Sequence, residues 1–92
     1  MGGDNTMNLK KQIREIRAEI KKAFSNVQDL DELERLRMKY LGSGGKIPEL
    51  YDEIDQIDSE KKASNMDKKT DNLKKKAKNL HQQQKEKIKE EN

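Results

Sequence analysis

Residues 29–47, DLDELERLRMKYLGSGGKI, contain both ends of a helix and the clearest interruption of helical sequence in the chain. Asp29 is a candidate N-cap, and Glu32 follows at the spacing of a capping box, in which two side chains satisfy unpaired backbone N–H groups. Apolar residues then recur at helical spacing as far as Leu41. Gly42 is expected to end the helix in the left-handed conformation. Three glycines within four residues predict a loop after it.

Upstream of this stretch, apolar residues alternate four and three positions apart, which is the heptad spacing of a helical seam. Asn8 is the candidate N-cap, so we expect the first helix to begin at Leu9. From sequence, the stretch 9–41 is compatible with one kinked helix or with two. The seam upstream of Asp29 consists of Leu9, Ile13, Ile16, Ile20, Ala23 and Val27.

Downstream of the loop, Pro48 suits the first turn of a short helix, where its missing N–H is not needed. Ser59 is a candidate cap for a last, long helix. A polar helix of this length is only marginally stable alone, so its apolar seam needs a partner. That seam consists of Ala63, Met66, Thr70, Leu73, Ala77 and Leu80, continued by Gln84 and Ile88.

These elements predict an all-α fold, a long antiparallel helical hairpin (a coiled-coil arm) with a short extra helix at the turn. We expect residues 1–7 to be a flexible N-terminus and residues 8–92 to form the hairpin. Its two arms are 9–41 and 59–90, and its turn region is 42–58. This pairing places every apolar stripe against another one.

The composition excludes several classes of protein. Only 29% of the 92 residues are apolar and 42% are charged, so a thick globular core is impossible. The chain has no cysteine and a single histidine, His81, which we interpret as a surface residue. No apolar run is long enough to span a bilayer, and no signal peptide is visible. We therefore predict no enzyme activity, no metal site and no cofactor for this domain by itself.

Positive charge is concentrated in the last third of the chain. Residues 59–92 contain eleven lysines and six carboxylates, whereas residues 1–58 contain ten cations and twelve carboxylates. Lysines along a helix are able to follow a phosphate backbone, but they also keep a thin coiled coil soluble. Tyr40 has a similar ambiguity, because it either stacks on a base or lies at the edge of the core. The lysines in question are Lys68, Lys69, Lys74, Lys75, Lys76 and Lys78.

The stretch from Leu33 to Gly42, LERLRMKYLG, followed by Gly45, resembles the start of the bacterial phenylalanyl-tRNA synthetase alpha subunit. That family shows a leucine-rich helix, then Tyr-Leu-Gly, two lysines, Gly and an apolar-Thr pair. Asp29 and Leu30 also match the entry to that helix. Two features depart from the pattern, since Ser43 and Gly44 replace the two lysines and Pro48 replaces the threonine.

The resemblance implies an N-terminal tRNA-binding arm, non-catalytic by itself, that supports the tRNA for phenylalanine during aminoacylation in the cytoplasm. It also implies the rest of the alpha subunit and the beta subunit as partners, and ATP and magnesium for the whole enzyme only. From charge, we expect the RNA contacts on the long helix, with help from cations before and in the loop. These candidate nucleic-acid-binding residues are Arg35, Arg37, Lys39, Lys46, Lys68, Lys69, Lys74, Lys75, Lys76 and Lys78.

Two other interpretations remain open. The first is a coiled-coil protein-interaction or dimerisation module without an RNA role, in which polar Thr70 and Gln84 fix the register. It predicts a dimer, whereas a hairpin predicts a monomer. The second is a peripheral membrane helix, which is disfavoured because the last helix has two alanines and no bulky aromatic on its apolar face.

Overall fold

The computed structural model describes residues 6–91, which form a rod of four helices, 54 × 18 × 17 Å in extent. The helices are α1 (Thr6–Ser25), α2 (Leu30–Leu41), α3 (Lys46–Ile54) and α4 (Glu60–Glu91). No strand occurs within 6–91, so the predicted all-α class is confirmed. Residues 1–5 of the predicted flexible segment 1–7 lie outside the described residues. Since α1 begins at Thr6, Asn8 is inside the helix and not its cap.

The long antiparallel hairpin is confirmed, and it consists of α4 packed against α2 and α3 together. At one end, Glu34 of α2 lies close enough to His81 of α4 to influence its pKa. Farther along, the hydroxyl of Tyr51 in α3 donates a hydrogen bond to Asp71 of α4. The later helix, α3, thus meets α4 nearer to the start of α4 than α2 does. The chain through α2 and α3 therefore runs opposite to α4.

The first arm of the hairpin differs from the expected single stretch 9–41. Helix α1 ends at Ser25, and the chain reverses direction before α2, so α1 runs parallel to α4. Lys10 of α1 lies beside Lys69, and Ser25 lies in a cleft with Ile88. The rod is therefore three helices thick, and this answers the question of one helix or two.

The expected turn region, 42–58, also differs from the structure. Helix α3 lies alongside α4 because its apolar residues Ile47, Leu50 and Ile54 are buried in the common core. A tip location would expose them to water at a cost of about 1.5–3 kcal/mol each. The reversal before α4 needs only the residues between Ile54 and Glu60.

The core follows the predicted seams closely. Leu73, Ala77 and Met66 of α4 are fully buried, as are Ile20 and Phe24 of α1. Leu30 is an exception, because it is 44% exposed although it belongs to the predicted stripe of α2. The seam of α4 is thus covered by the other three helices of the same chain.

The predicted side-chain caps of α2 and α4 are confirmed. The Asp29 side chain accepts a hydrogen bond of 2.8 Å from the backbone N–H of Glu32. The Ser59 hydroxyl accepts one of 3.3 Å from the N–H of Lys62. Asp29 therefore caps α2 and Ser59 caps α4, as their side-chain chemistry predicts.

Gly42 ends α2 for a different reason from the expected one. Its φ is −75°, which any residue can adopt, but a Cβ there would lie 2.7 Å from the carbonyl oxygen of Met38. Gly42 is required for space. The left-handed position is Gly44, with φ 77°, where no neighbouring atom limits the space for a side chain.

Candidate nucleic-acid interface

Lys46, a predicted RNA ligand in the loop, holds three helices together. Its Nζ donates a hydrogen bond of 2.9 Å to Oε1 of Glu19 in α1, and the hydroxyl of Tyr40 in α2 donates to the same oxygen at 3.0 Å. Lys46 lowers the pKa of Glu19 through its hydrogen bond, more than any other group does. A phosphate would compete with a carboxylate for this lysine, so Lys46 is poorly placed as an RNA ligand.

Tyr40 belongs to the core, which decides between its two interpretations. Its side chain is 1% exposed, and its ring lies 6.4 Å from that of Phe24 in a tilted arrangement. Burial, together with the hydrogen bond to Glu19, raises the pKa of Tyr40 to about 12. A ring enclosed in this way has no face open to an RNA base.

A first surface groove, the α2–α4 groove, brings together three of the predicted cations. It is lined by Arg37, Leu41, Lys74, Lys78, His81 and Gln82. Arg37 is already paired, because its guanidinium donates three hydrogen bonds of 2.5 to 3.1 Å to the Glu34 carboxylate. Burial lowers the pKa of His81, and the positive charges of Arg37 and Lys85 lower it further. The net positive charge of this groove is therefore reduced by Glu34 and by a neutral histidine.

Next to the α2–α4 groove, α4 presents its two central carboxylates to α3. Asp71 accepts the hydrogen bond from Tyr51, and burial, this hydrogen bond and the charges of Asp71 and Asp67 raise the pKa of that tyrosine. Lys74 lies 6.0 Å from the centroid of the same ring. This side of α4 is consequently mixed in charge and partly engaged in contacts within the protein.

The predicted lysines of α4 do not form one row. At 3.6 residues per turn, Lys74 and Lys78 share the side facing α2 and α3, whereas Lys68 and Lys75 share the outer side. Lys69 and Lys76, seven residues apart, share the side toward α1. Of the remaining candidates, Arg35 and Lys39 are exposed on α2, and Lys39 Nζ lies 5.4 Å from the centroid of the Tyr40 ring.

A second groove, the α1–α4 groove, contains cations that the sequence prediction missed. It is lined by Lys10, Ile13, Arg14, Arg17, Lys69 and Asn72. Only Lys69 was a candidate, since α1 was expected to pair with α4 as part of a two-stranded hairpin. The available signal was the 4–3 spacing of Lys10, Arg14, Arg17 and Lys21, which places four cations on one flank of α1.

The opposite flank of α1 forms the α1–α3 groove, which is acidic. Four carboxylates line it, with Lys46 as its cation: Glu15, Glu19, Glu49 and Glu53. Helix α1 therefore separates a cationic groove from an anionic one. Among residues 6–91, no group of three or more side chains is placed to hold a metal ion, and no helix is long and apolar enough to cross a membrane.

Comparison with known proteins identifies a family. A family model described as the N-terminal domain of class II aminoacyl-tRNA synthetases, the phenylalanyl-tRNA synthetase type, matches residues 28–92. The matched residues comprise α2, α3 and α4, and α1 precedes them. No match is found among curated proteins or among solved structures. Because the match covers more than half of the chain and confirms the resemblance carried by residues 29–47, the chain belongs to the family of phenylalanyl-tRNA synthetase N-terminal domains.

Proposed function

We propose that this chain is the accessory tRNA-binding arm of a phenylalanyl-tRNA synthetase alpha subunit. It is non-catalytic by itself and supports the tRNA for phenylalanine through its basic helix surface during aminoacylation. The family match covers residues 28–92, and these 92 residues contain no catalytic domain. Catalysis, with ATP and magnesium, then belongs to the whole enzyme, in the cytoplasm and together with the rest of the alpha subunit and the beta subunit.

The charge of α4 is the observation that carries this proposal. Its apolar seam is covered within the chain, so only its polar surface is available to a partner. That surface has eleven lysines and six carboxylates. An excess of cations on an exposed rod attracts a polyanion and releases counterions when phosphates bind.

The dimerisation alternative is less well supported. Thr70 is fully buried, and its hydroxyl donates a hydrogen bond of 2.8 Å to the carbonyl of Met66 in the same helix. It therefore needs no partner on another helix to fix a register. Three large apolar residues among 7–90 are exposed, Met7, Leu30 and Met38, and they lie on different helical turns. We propose a monomer for the isolated domain.

A titration of the chain with fluorescently labelled tRNA for phenylalanine tests the proposal. Fluorescence anisotropy at about 50 and 200 mM salt should show micromolar binding that weakens by about tenfold or more at the higher salt. A variant with Ala at Lys74, Lys75, Lys76 and Lys78 removes cations from all three sides of α4 and should bind more weakly. Absence of binding at both salt concentrations would contradict the proposed function.

A further inference from the structure

We propose that the RNA backbone binds in the α1–α4 groove, with Lys10, Arg14, Arg17 and Lys69 as the phosphate ligands. The inference rests on the proposed function and adds the surface that performs it. It differs from the charge-based expectation, because three of the four ligands belong to α1. That helix lies outside the residues matched by the family.

The four cations are available to an external anion. Within residues 7–90, none of them has a carboxylate at ion-pair distance, whereas Lys46 is paired with Glu19 and Arg37 with Glu34. All four side chains are exposed to solvent. Binding a phosphate here breaks no existing ion pair, and it also relieves the repulsion among neighbouring like charges.

The carboxylates in the middle of both helices face away from this groove. On α1, Glu15 and Glu19 line the α1–α3 groove. On α4, Asp71 accepts a hydrogen bond from the hydroxyl of Tyr51, and the negative charge of Asp67 also influences that tyrosine. Both carboxylates therefore lie on the side of α3. The α1–α4 groove is thus lined by cations and by no carboxylate among the described residues.

Amide side chains extend the groove along α4. Asn72 lines it directly, and helical periodicity places Asn65, Lys76, Asn79 and Gln83 on the same side. Amides donate and accept hydrogen bonds, so they suit the phosphate and ribose oxygens that contribute most contacts of an RNA backbone. On α1 the row from Lys10 to Lys21 is about 16 Å long at 1.5 Å per residue. This length allows contact with only a handful of phosphates.

Two variants with equal loss of charge test the assignment. The groove variant carries Lys10→Gln, Arg14→Gln, Arg17→Gln and Lys69→Gln. The control variant carries Lys11→Gln, Lys22→Gln, Lys61→Gln and Lys89→Gln, which are exposed cations of the same two helices that do not line the groove and are not among the candidate ligands. Glutamine has nearly the helix propensity of lysine and arginine, so both variants should fold, and circular dichroism at 222 nm verifies this.

Anisotropy titrations with tRNA for phenylalanine at several salt concentrations then separate the outcomes. We expect the groove variant to bind at least about 20-fold more weakly at 50 mM salt, and the slope of log K against log salt to decrease by about three. The control should lose about threefold or less. Equal losses in the two variants would overturn the groove assignment while leaving the proposed function intact. Absence of tRNA binding by the unmodified chain would overturn both.

Discussion

Oε1 of Glu19 in α1 accepts hydrogen bonds from two other helices at once, from the hydroxyl of Tyr40 at 3.0 Å and from Nζ of Lys46 at 2.9 Å. The carboxylate thereby joins α1 to both ends of the loop that separates α2 from α3. This contact makes α1 an integral part of the rod, although α1 lies outside the residues matched by the family.

Removing the Tyr40 hydroxyl should destabilise the fold moderately. Tyr40→Phe keeps the buried ring and loses one hydrogen bond to a charged group, so we expect a decrease of about 1–2 kcal/mol in the free energy of unfolding. Urea denaturation at pH 7 measures it. Tyr40→Ala should cost about 3–5 kcal/mol, because it also leaves a cavity in the core. Equal effects of the two changes would show that the ring packing contributes little.

Stability should decrease in acid through Glu19. The pKa of Glu19 is below its ordinary value of 4.5, mainly because of the hydrogen bond from Lys46. The contribution of Glu19 is therefore complete above that ordinary value and is lost as pH falls through the lower, folded-state pKa. Urea midpoints between pH 7 and pH 3 should fall less steeply in Glu19→Gln than in the unmodified chain. Parallel curves would exclude this carboxylate as a source of acid sensitivity.

Two of the three loop glycines, Gly42 and Gly44, should differ in their tolerance to alanine. Gly42→Ala forces a Cβ against backbone atoms of Met38, which cannot rotate away, so we expect a loss of about 2–3 kcal/mol. Gly44→Ala meets no neighbouring atom and carries only the penalty of a left-handed φ, about 1–2 kcal/mol. Thermal denaturation of both variants measures the difference. A more harmful Gly44→Ala would mean that conformation, and not space, limits this loop.

His81 should titrate below its ordinary pKa of 6.5, chiefly because of burial. Arg37→Gln removes a positive charge that lowers this pKa and should raise it, whereas Glu34→Gln removes a negative charge and should lower it further. The chemical shift of the imidazole Cε1–H against pH reports both changes. Shifts in the same direction for the two variants would contradict the arrangement of the α2–α4 groove.

Thr70→Val tests whether a polar seam residue specifies the assembly. The Thr70 hydroxyl bonds only within α4, so we expect a stability change below about 1 kcal/mol and no change of oligomeric state. Sedimentation equilibrium at tens of micromolar protein should give a monomer for both forms. A dimer in either form would favour the coiled-coil interaction module.

Several features were predictable because they depend on neighbours in the chain. Asp29 caps α2 through a side chain that reaches three residues ahead, and heptad spacing identifies the buried residues of α4. The candidate interface was harder to predict from the sequence. Lysines adjacent in sequence, such as Lys74, Lys75 and Lys76, point to three different sides of a helix. Which side matters depends on the helices that pack around α4.

By itself, the sequence determined the helical class, the N-terminal caps of α2 and α4, the seams and the family, because each of these depends on residue types at short, fixed spacings. Tertiary structure alone decided that α1 folds back to lie parallel to α4, and that Lys46 is paired with Glu19. It also decided that Lys10, Arg14 and Arg17 meet Lys69 across a groove without carboxylates. The physical reason is that the charge of a groove belongs to the flanks of two packed helices, and sequence spacing describes only one helix at a time.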